Sequence, residues 1–315
     1  MLDPQEFVGS TVEELRRTIE GKAIIACSGG VDSSVAAAIV NEAIGDRLLT
    51  VYVNTGLMRE GESEEVRRSF DRVGVNYKCI DATEDFLGDL EGITDPEEKR
   101  KIIGERFIRI FEREAKAFGA DHLVQGTIAP DWIESGDQFR DTIKSHHNVG
   151  GLPERMDLEL VEPLRDLYKD EVRKVARHLG VEVSERQPFP GPALAIRIIG
   201  EVTRESVEII RKACAIVEQE IERAASEGKM EMPWQYFAVL LPVQSVGVHG
   251  DRRVYGATVA VRAVESLDGM SAAYSKIPHD VLDRISNRIT NEMKERVNRV
   301  VYDITNKPPG TIEWE

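Results

Sequence analysis

Lys22-Ala-Ile-Ile-Ala-Cys-Ser-Gly-Gly-Val-Asp-Ser-Ser34 decides the reading of this chain. Through Cys27 it is a brief apolar run, which predicts a buried strand, and from Asp32 to about Ile44 the pattern turns helical. A glycine pair between a strand and a helix lets the backbone turn sharply and come close to a ligand. The loop amides and the helix N-terminus then offer donors to anionic oxygens, and Ser28, Ser33 and Ser34 add hydroxyls. Ser28, Gly29, Gly30, Val31, Asp32, Ser33 and Ser34 are therefore candidates for a phosphate cradle. The loop is neither a Walker A motif nor a dinucleotide fingerprint, because it lacks the Gly-Lys-Ser/Thr ending of the one and the third glycine of the other. Asp32 has two readings: an acid that complements the helix dipole, or a ligand for Mg2+ beside the phosphates.

Outward from the loop, strand-like runs recur at 48–53, 75–80 and 122–125, separated by helical patterns over 62–73 and 96–118. Such alternation predicts an α/β fold, a doubly wound parallel sheet that binds ligands at the carboxyl ends of its strands. The stretch 135–159 is rich in Gly, His and charge without periodicity, and it reads as a functional lid rather than a disordered insert. A helix over 168–179 closes this domain, and Gln187-Pro-Phe-Pro-Gly-Pro192 breaks regular structure. The division expected is 1–187 and 188–315, the second part being a smaller α+β domain. It should contain helices over 206–227 and 278–298 and strands over 236–241, 254–264 and 299–304.

The length of 315 residues suits about two domains. Lys plus Arg number 41 against 56 Asp plus Glu, a net charge of −15 that disfavours nucleic acid as a partner. Cys27, Cys79 and Cys214 are odd in number and widely spaced, with no C-x-x-C pair, so neither a disulfide framework nor a zinc ribbon is expected, and a reducing cytoplasm fits. The acidic N-terminus and the lack of a long apolar stretch predict neither export nor a membrane span.

The segment SGGVDSS after a first strand resembles the pyrophosphate loop of the N-type ATP pyrophosphatases, which cleave ATP between the α and β phosphates. The segments 96–104, 126–135, 144–148, 186–192, 245–251 and 307–315 resemble the ATP pyrophosphatase and dimerisation parts of GMP synthetases, so the resemblance runs through nearly the whole chain. It implies synthesis of GMP from XMP, ATP and ammonia through an adenyl-XMP intermediate, with release of AMP and pyrophosphate. It further implies Mg2+ at Asp32, XMP held between the two domains, and a homodimer.

The same resemblance gives roles to single residues, each beside a plainer reading. Arg100 lies in a charged helix and is either part of a solvated face or, by resemblance, a contact for the XMP phosphate. Asp131 and Glu134, three apart, are metal or lid contacts or merely acids on a capped surface helix. Lys144, His146 and His147 lie in the unpatterned stretch, and the adjacent histidines lack the spacing of a helical zinc pair. The resemblance makes that stretch a closing lid, with Lys144 neutralising charge on the α phosphate and the histidines orienting the base or holding the lid shut. A chain end such as Lys307-Pro-Pro-Gly-Thr-Ile-Glu-Trp-Glu315 ordinarily frays. By resemblance it folds over the nucleotide, with Lys307 at the phosphate, Ile312 at the base, Glu313 at the sugar or base, and Gln235 and Arg299 nearby. Asp251 and Arg253 would then act at the partner's site across the dimer.

Two departures bear on function. Many members of that family carry an N-terminal glutaminase, whereas here 27 residues precede the loop and no His-x-Glu pair occurs. Ammonia is therefore expected from solution or from a separate glutaminase subunit. In Gly191-Pro-Ala193 an alanine stands where glycine is expected, which narrows the allowed backbone angles. Three other readings fit less well. A tRNA thiolation enzyme would need a reactive cysteine or zinc pairs and a basic surface. The resemblance to NAD synthetase stops at the loop, and a regulatory nucleotide binder without turnover could dispense with Asp32 and Lys144, both present.

Overall fold

The structure, a computed structural model, describes residues 2–27, 29–129, 158–181, 187–267 and 269–315, with the backbone alone at residue 249. Two compact units emerge. The first comprises Met1–Gly56, Gly61–Thr83 and Ile103–Glu185, and the second Leu57–Glu60, Glu84–Ile102 and Arg186–Glu315. Two segments that precede residue 187 are thus counted with the C-terminal unit, and Arg100 lies in one of them.

The first unit opens with helix α1 (Pro4–Thr18), capped by the Asp3 carboxylate, and continues through β1 (Ala23–Ala26), α2 (Val31–Ile44) and β2 (Leu48–Asn54). The chain goes on with α3 (Glu62–Val73), β3 (Tyr77–Asp81), α4 (Thr83–Asp89), α5 (Pro96–Phe118), β4 (His122–Val124), β5 (Glu159–Val161) and α6 (Lys169–His178), of which α4 from Glu84 and α5 as far as Ile102 are counted with the second unit. The five strands form one sheet in the order β3-β2-β1-β4-β5, and every pairing in it is parallel. Every residue of β2 from Leu48 to Val53 is buried, as expected of a central strand covered on both faces. The chain winds outward from β1 to β3, then reverses to β4 and β5, so the loops leaving β1 and β4 diverge and open a crevice at their carboxyl ends.

The second unit contains α7 (Arg204–Ser226), β6 (Gln235–His249), β7 (Arg252–Glu265), β8 (Ala273–Tyr274), α8 (His279–Glu292) and β9 (Val297–Tyr302). β7 pairs antiparallel with β6 and β8 and parallel with β9. The strand expected over 236–241 continues through a bulge between Leu241 and Gln244 to His249, making a long hairpin. Asn298 explains its glycines: its Nδ2 donates to Ser245 O and Val254 O at 3.1 and 3.2 Å, and a Cβ on Gly247 or Gly256 would lie 2.6 or 2.7 Å from its Cγ. Helix α8 ends at Glu292, six residues before the expected 298, because the alternating Val297-Asn-Arg-Val-Val-Tyr302 pairs with β7 instead. The short elements α4, β5 and β8 were not legible, having too few residues to carry a period.

Ala193 opens a 3₁₀ turn (Ala193–Arg197) in the left-handed region at φ 56° with its methyl buried. That conformation costs an L-residue about 1–2 kcal/mol. Glycine would relieve it but lose a buried methyl, worth about 0.8 kcal/mol, and gain about 0.4–1 kcal/mol of unfolded-chain freedom. Ala193→Gly should therefore change the unfolding free energy by less than about 1 kcal/mol, whereas β-branched Ala193→Val should lose about 2 kcal/mol or more, read as urea midpoints at unchanged slope.

Candidate active site

The loop after β1 sits at the switch point of the sheet. Gly29 adopts φ 83°, and a Cβ there would lie 2.7 Å from Val66 Cγ2, so only glycine fits without displacement. Gly30 is the N-cap of α2, and among the described residues no side chain caps that end. Ser34 N donates to Gly30 O at 3.1 Å, as does Ser33 Oγ, which leaves the amides of the first turn directed outward for an anion. From the neighbouring strand end, Gly126 presses on this turn: a Cβ there would lie 2.9 Å from both Asp32 C and Ser33 N. Beneath the loop the buried Cys27 thiol donates to Ser33 O at 3.4 Å, and burial pushes its pKa up to about 12. It is a packing group, not a nucleophile. Ser28 of the expected cradle lies outside the described residues.

Asp32 Oδ2 accepts from Lys169 Nζ at 2.5 Å, while its Oδ1 is buried with no hydrogen-bond partner among the described residues. An anionic oxygen of that kind suits Mg2+, which takes one or two protein carboxylates and completes its shell with substrate phosphates and water. Among the described residues no group of three or more His, Cys, Asp or Glu could hold a metal ion. Lys169, at the first position of α6, was missed by sequence reasoning; the signal available was a lysine opening a helix shortly after a strand of the sheet. Asp131, Glu134, Lys144, His146 and His147, with most of the expected lid, lie outside the described residues.

The second unit gathers several of the residues expected at the other substrate. Gln235, at the start of β6, donates from Nε2 to Glu313 Oε1 at 2.8 Å and to Pro188 O at 3.1 Å. Ile312 is buried, and Lys307 Nζ donates to Gly269 O at 2.8 Å while its backbone bridges to Ala272. Arg100 Nη1 pairs with Glu97 Oε1 at 2.5 Å. Arg299 is exposed on β9. Asp251 and Arg253 stand apart: Gln235 pairs with Val264 at one end of the hairpin and His249 with Arg252 at the other. At about 3.3 Å per residue the two ends are roughly 40 Å apart.

Sequence reasoning also missed two buried cations here. Arg197 forks onto Glu313, Nε to Oε2 at 3.1 Å and Nη2 to Oε1 at 2.8 Å. Burial works against its charge, but the Glu313 carboxylate outweighs it and holds the pKa above the ordinary arginine value. Lys99 Nζ meets Glu315 Oε2 at 2.5 Å. Its signal was its place four residues before Ile103, on the buried face of α5.

Comparison with known proteins finds matches in both parts of the chain. A family model described as GMP synthase C terminal domain matches residues 220–314, and one described as Queuosine biosynthesis protein QueC matches residues 22–187. The chain is 60% identical over 315 residues to the B subunit of GMP synthase (glutamine-hydrolyzing) from Thermococcus kodakarensis, covering 99% of each chain. To the B subunit from Thermoplasma acidophilum it is 56% identical over 314 residues, covering 100% of each. GMP synthase (glutamine-hydrolyzing) of Aquifex aeolicus is 55% identical over 315 residues, 98% of this chain but 61% of that protein. Among solved structures, an NH3-dependent NAD synthetase from Campylobacter jejuni is similar with a TM-score of 0.44 at 13% identity, covering 58% of this chain and 76% of that one.

The contact at Gly126 yields a test. Gly126→Ala should displace the first turn of α2, lowering ATP affinity by about tenfold or more while costing about 1–3 kcal/mol of stability. Titration calorimetry with ATP and Mg2+, beside urea unfolding, separates the two effects. Wild-type ATP affinity in this variant would show that the strand end does not shape the loop.

Proposed function

Because the chain belongs to the family of GMP synthase (glutamine-hydrolysing) B subunits, we propose that it converts XMP, ATP and ammonia to GMP, AMP and pyrophosphate. The observation that carries the reading is the uncapped start of α2 at the switch point, with the Asp32–Lys169 pair beside it, in a chain related to those subunits along its whole length.

ATP lies with its β and γ phosphates on the amides and hydroxyls of residues 28–34, and Lys169 exchanges Asp32 for phosphate oxygens. Asp32 would hold Mg2+ through its second oxygen, and the ion would supply charge neutralisation for the pyrophosphate. The O2 oxygen of XMP attacks the α phosphorus as the bond to pyrophosphate breaks, forming adenyl-XMP. Ammonia then attacks C2, AMP leaves with the former O2, and a proton is released. Such phosphoryl chemistry needs positioning and charge neutralisation rather than a protein nucleophile. The cysteines agree: Cys27 and Cys214 are both buried, and burial raises both pKa values. Lys144, with Asp131, Glu134, His146 and His147, belongs to the lid over ATP, and Arg100, Gln235, Arg299, Lys307, Ile312 and Glu313 to the XMP side.

Two further parts of the reading concern partners. A separate glutaminase subunit supplies ammonia, which free ammonium replaces in solution; the Aquifex relative, longer than this chain, carries no subunit designation in its name. The chain pairs with a second copy through the β6–β7 hairpin, whose Val248 and Tyr255 are 71% and 70% exposed. With the hairpin tip roughly 40 Å from Gln235 along the strands, Asp251 and Arg253 reach the XMP bound by the other copy. Among the described residues no helix is long and apolar enough to cross a membrane.

Incubation with ATP, Mg2+, XMP and ammonium should give GMP, AMP and pyrophosphate in equal amounts, and glutamine as sole nitrogen source should give none without a glutaminase. ADP in place of AMP would overturn the reaction assigned, and GMP from glutamine alone would overturn the need for a partner. For the dimer, Arg253→Ala and Lys307→Ala should each lose activity by about tenfold or more. Mixing the two inactive variants should restore a fraction of it, because one site of each hybrid dimer is intact. Absence of recovery in a verified mixed dimer would place Arg253 on its own chain's site.

A further inference from the structure

Lys99, Arg197 and Arg262 are all fully buried, and each is spent on the last residues of the chain. Lys99 Nζ donates to Ile198 O at 2.7 Å, Ala195 O at 3.4 Å and Glu315 Oε2 at 2.5 Å, so its three protons meet three acceptors of which only one is anionic. Arg197 holds Glu313 in a fork while its guanidinium lies 4.1 Å from the Phe237 ring centroid and 5.1 Å from that of Phe189. Arg262 donates to the carbonyls of Thr305 and Thr311, the latter at 3.0 Å, and pairs with Asp303 at 3.3 Å. A desolvated ammonium without a counter-ion is strongly disfavoured, so Lys99 keeps its burial only while Glu315 is in place. Lys99 is also the chain neighbour of Arg100, and both lie in the segment of α5 counted with this unit.

We propose that Lys99 and Arg197 are positioning residues that latch the C-terminal segment 307–315, setting XMP affinity without touching XMP. Glu313 and Glu315 serve first as counter-ions, and the 3₁₀ turn Ala193–Arg197 is the fixed post to which both ends of the latch attach. The latch places Lys307 and Ile312 and ties them, through Lys99, to the helix turn that carries Arg100. This rests on the reading that the tail holds XMP, and the control below tests that reading separately.

The experiment compares Lys99→Met, Glu315→Gln, their double variant and Lys307→Ala in the full-length protein, by steady-state kinetics with ammonium and by amide exchange of residues 307–315. Glu315→Gln keeps the size of the side chain and an acceptor oxygen, so it carries the test if Lys99→Met does not fold. Each single substitution should raise KM for XMP about tenfold or more, leave KM for ATP within about twofold, and speed exchange of the tail. The double variant should be no worse than the worse single one, because the pair acts as one unit. Unchanged tail exchange in Glu315→Gln overturns the latch. Faster exchange with unchanged KM for XMP, against a Lys307→Ala control that raises it, overturns its role in binding. A Lys307→Ala control with unchanged KM for XMP overturns the reading of the tail instead, and the link to XMP with it.

Discussion

A cation that leaves water must take its counter-ion with it, and the second unit is arranged around that rule. Lys99 comes from α5, Arg197 from the 3₁₀ turn and Arg262 from β7, three elements distant in sequence, and all three converge on residues 303–315. The penalty for desolvating one ion is several kcal/mol, comparable with the whole margin of stability of a domain. The tail is therefore structural, unlike an ordinary chain end: Glu313, Glu315 and Asp303 are the only anions that the structure pairs with these buried charges among the described residues. Trp314 adds to the same closure, its indole N–H donating to Asp303 Oδ2 at 3.0 Å.

In the first unit the governing constraint is steric rather than ionic. The parallel order β3-β2-β1-β4-β5 sends the loops after β1 and β4 apart, yet Gly126 and Asp32–Ser33 remain in backbone contact across that opening. Val66 of α3 closes from the other side on Gly29. The loop is thus shaped by two places where an added Cβ would force a neighbour to move. Side chains enter as a second layer. Asp32 and Lys169 neutralise each other in the free protein, and the carboxylate oxygen left over is the atom suited to a hard cation.

Long periodic segments were legible in the sequence because their burial follows their own spacing: α3 and α5 have the expected bounds, and α2, β2 and α7 differ by one or two residues. The strand and helix that flank the loop were legible because their pattern is local. What was not legible depends on partners far along the chain. The run Glu97-Glu-Lys-Arg-Lys101 reads as a solvated face, yet Lys99, in helical register with Ile103, is fully buried whereas its neighbour Arg100 is not. The strand expected over 236–241 runs on to His249, and Asn298, some fifty residues further along the chain, holds both strands of the hairpin. Ala193 reads as a mild departure from glycine, and the backbone there proves to need the left-handed region that glycine favours.

The distinction between Lys99 and Arg100 also explains how a chain with a net charge of −15 can receive anionic substrates. The cations at the two candidate sites fall into two sorts according to what a competing phosphate would have to displace. Arg197 is buried against Glu313, and removing either partner strands a charge away from water, so that pair does not exchange. Arg100 pairs three residues back with Glu97, whose side chain is 81% exposed, a contact worth no more than about 1 kcal/mol that solvent and salt already compete with. Lys307 donates to the backbone oxygen of Gly269, a neutral acceptor, and a phosphate would be the stronger partner. Lys169 is 45% exposed and its partner Asp32 can pass to a metal ion as the lysine passes to a phosphate, leaving no charge unpaired. The buried cations fix the backbone, and the half-exposed ones, held by weak or replaceable partners, remain free to exchange for a ligand.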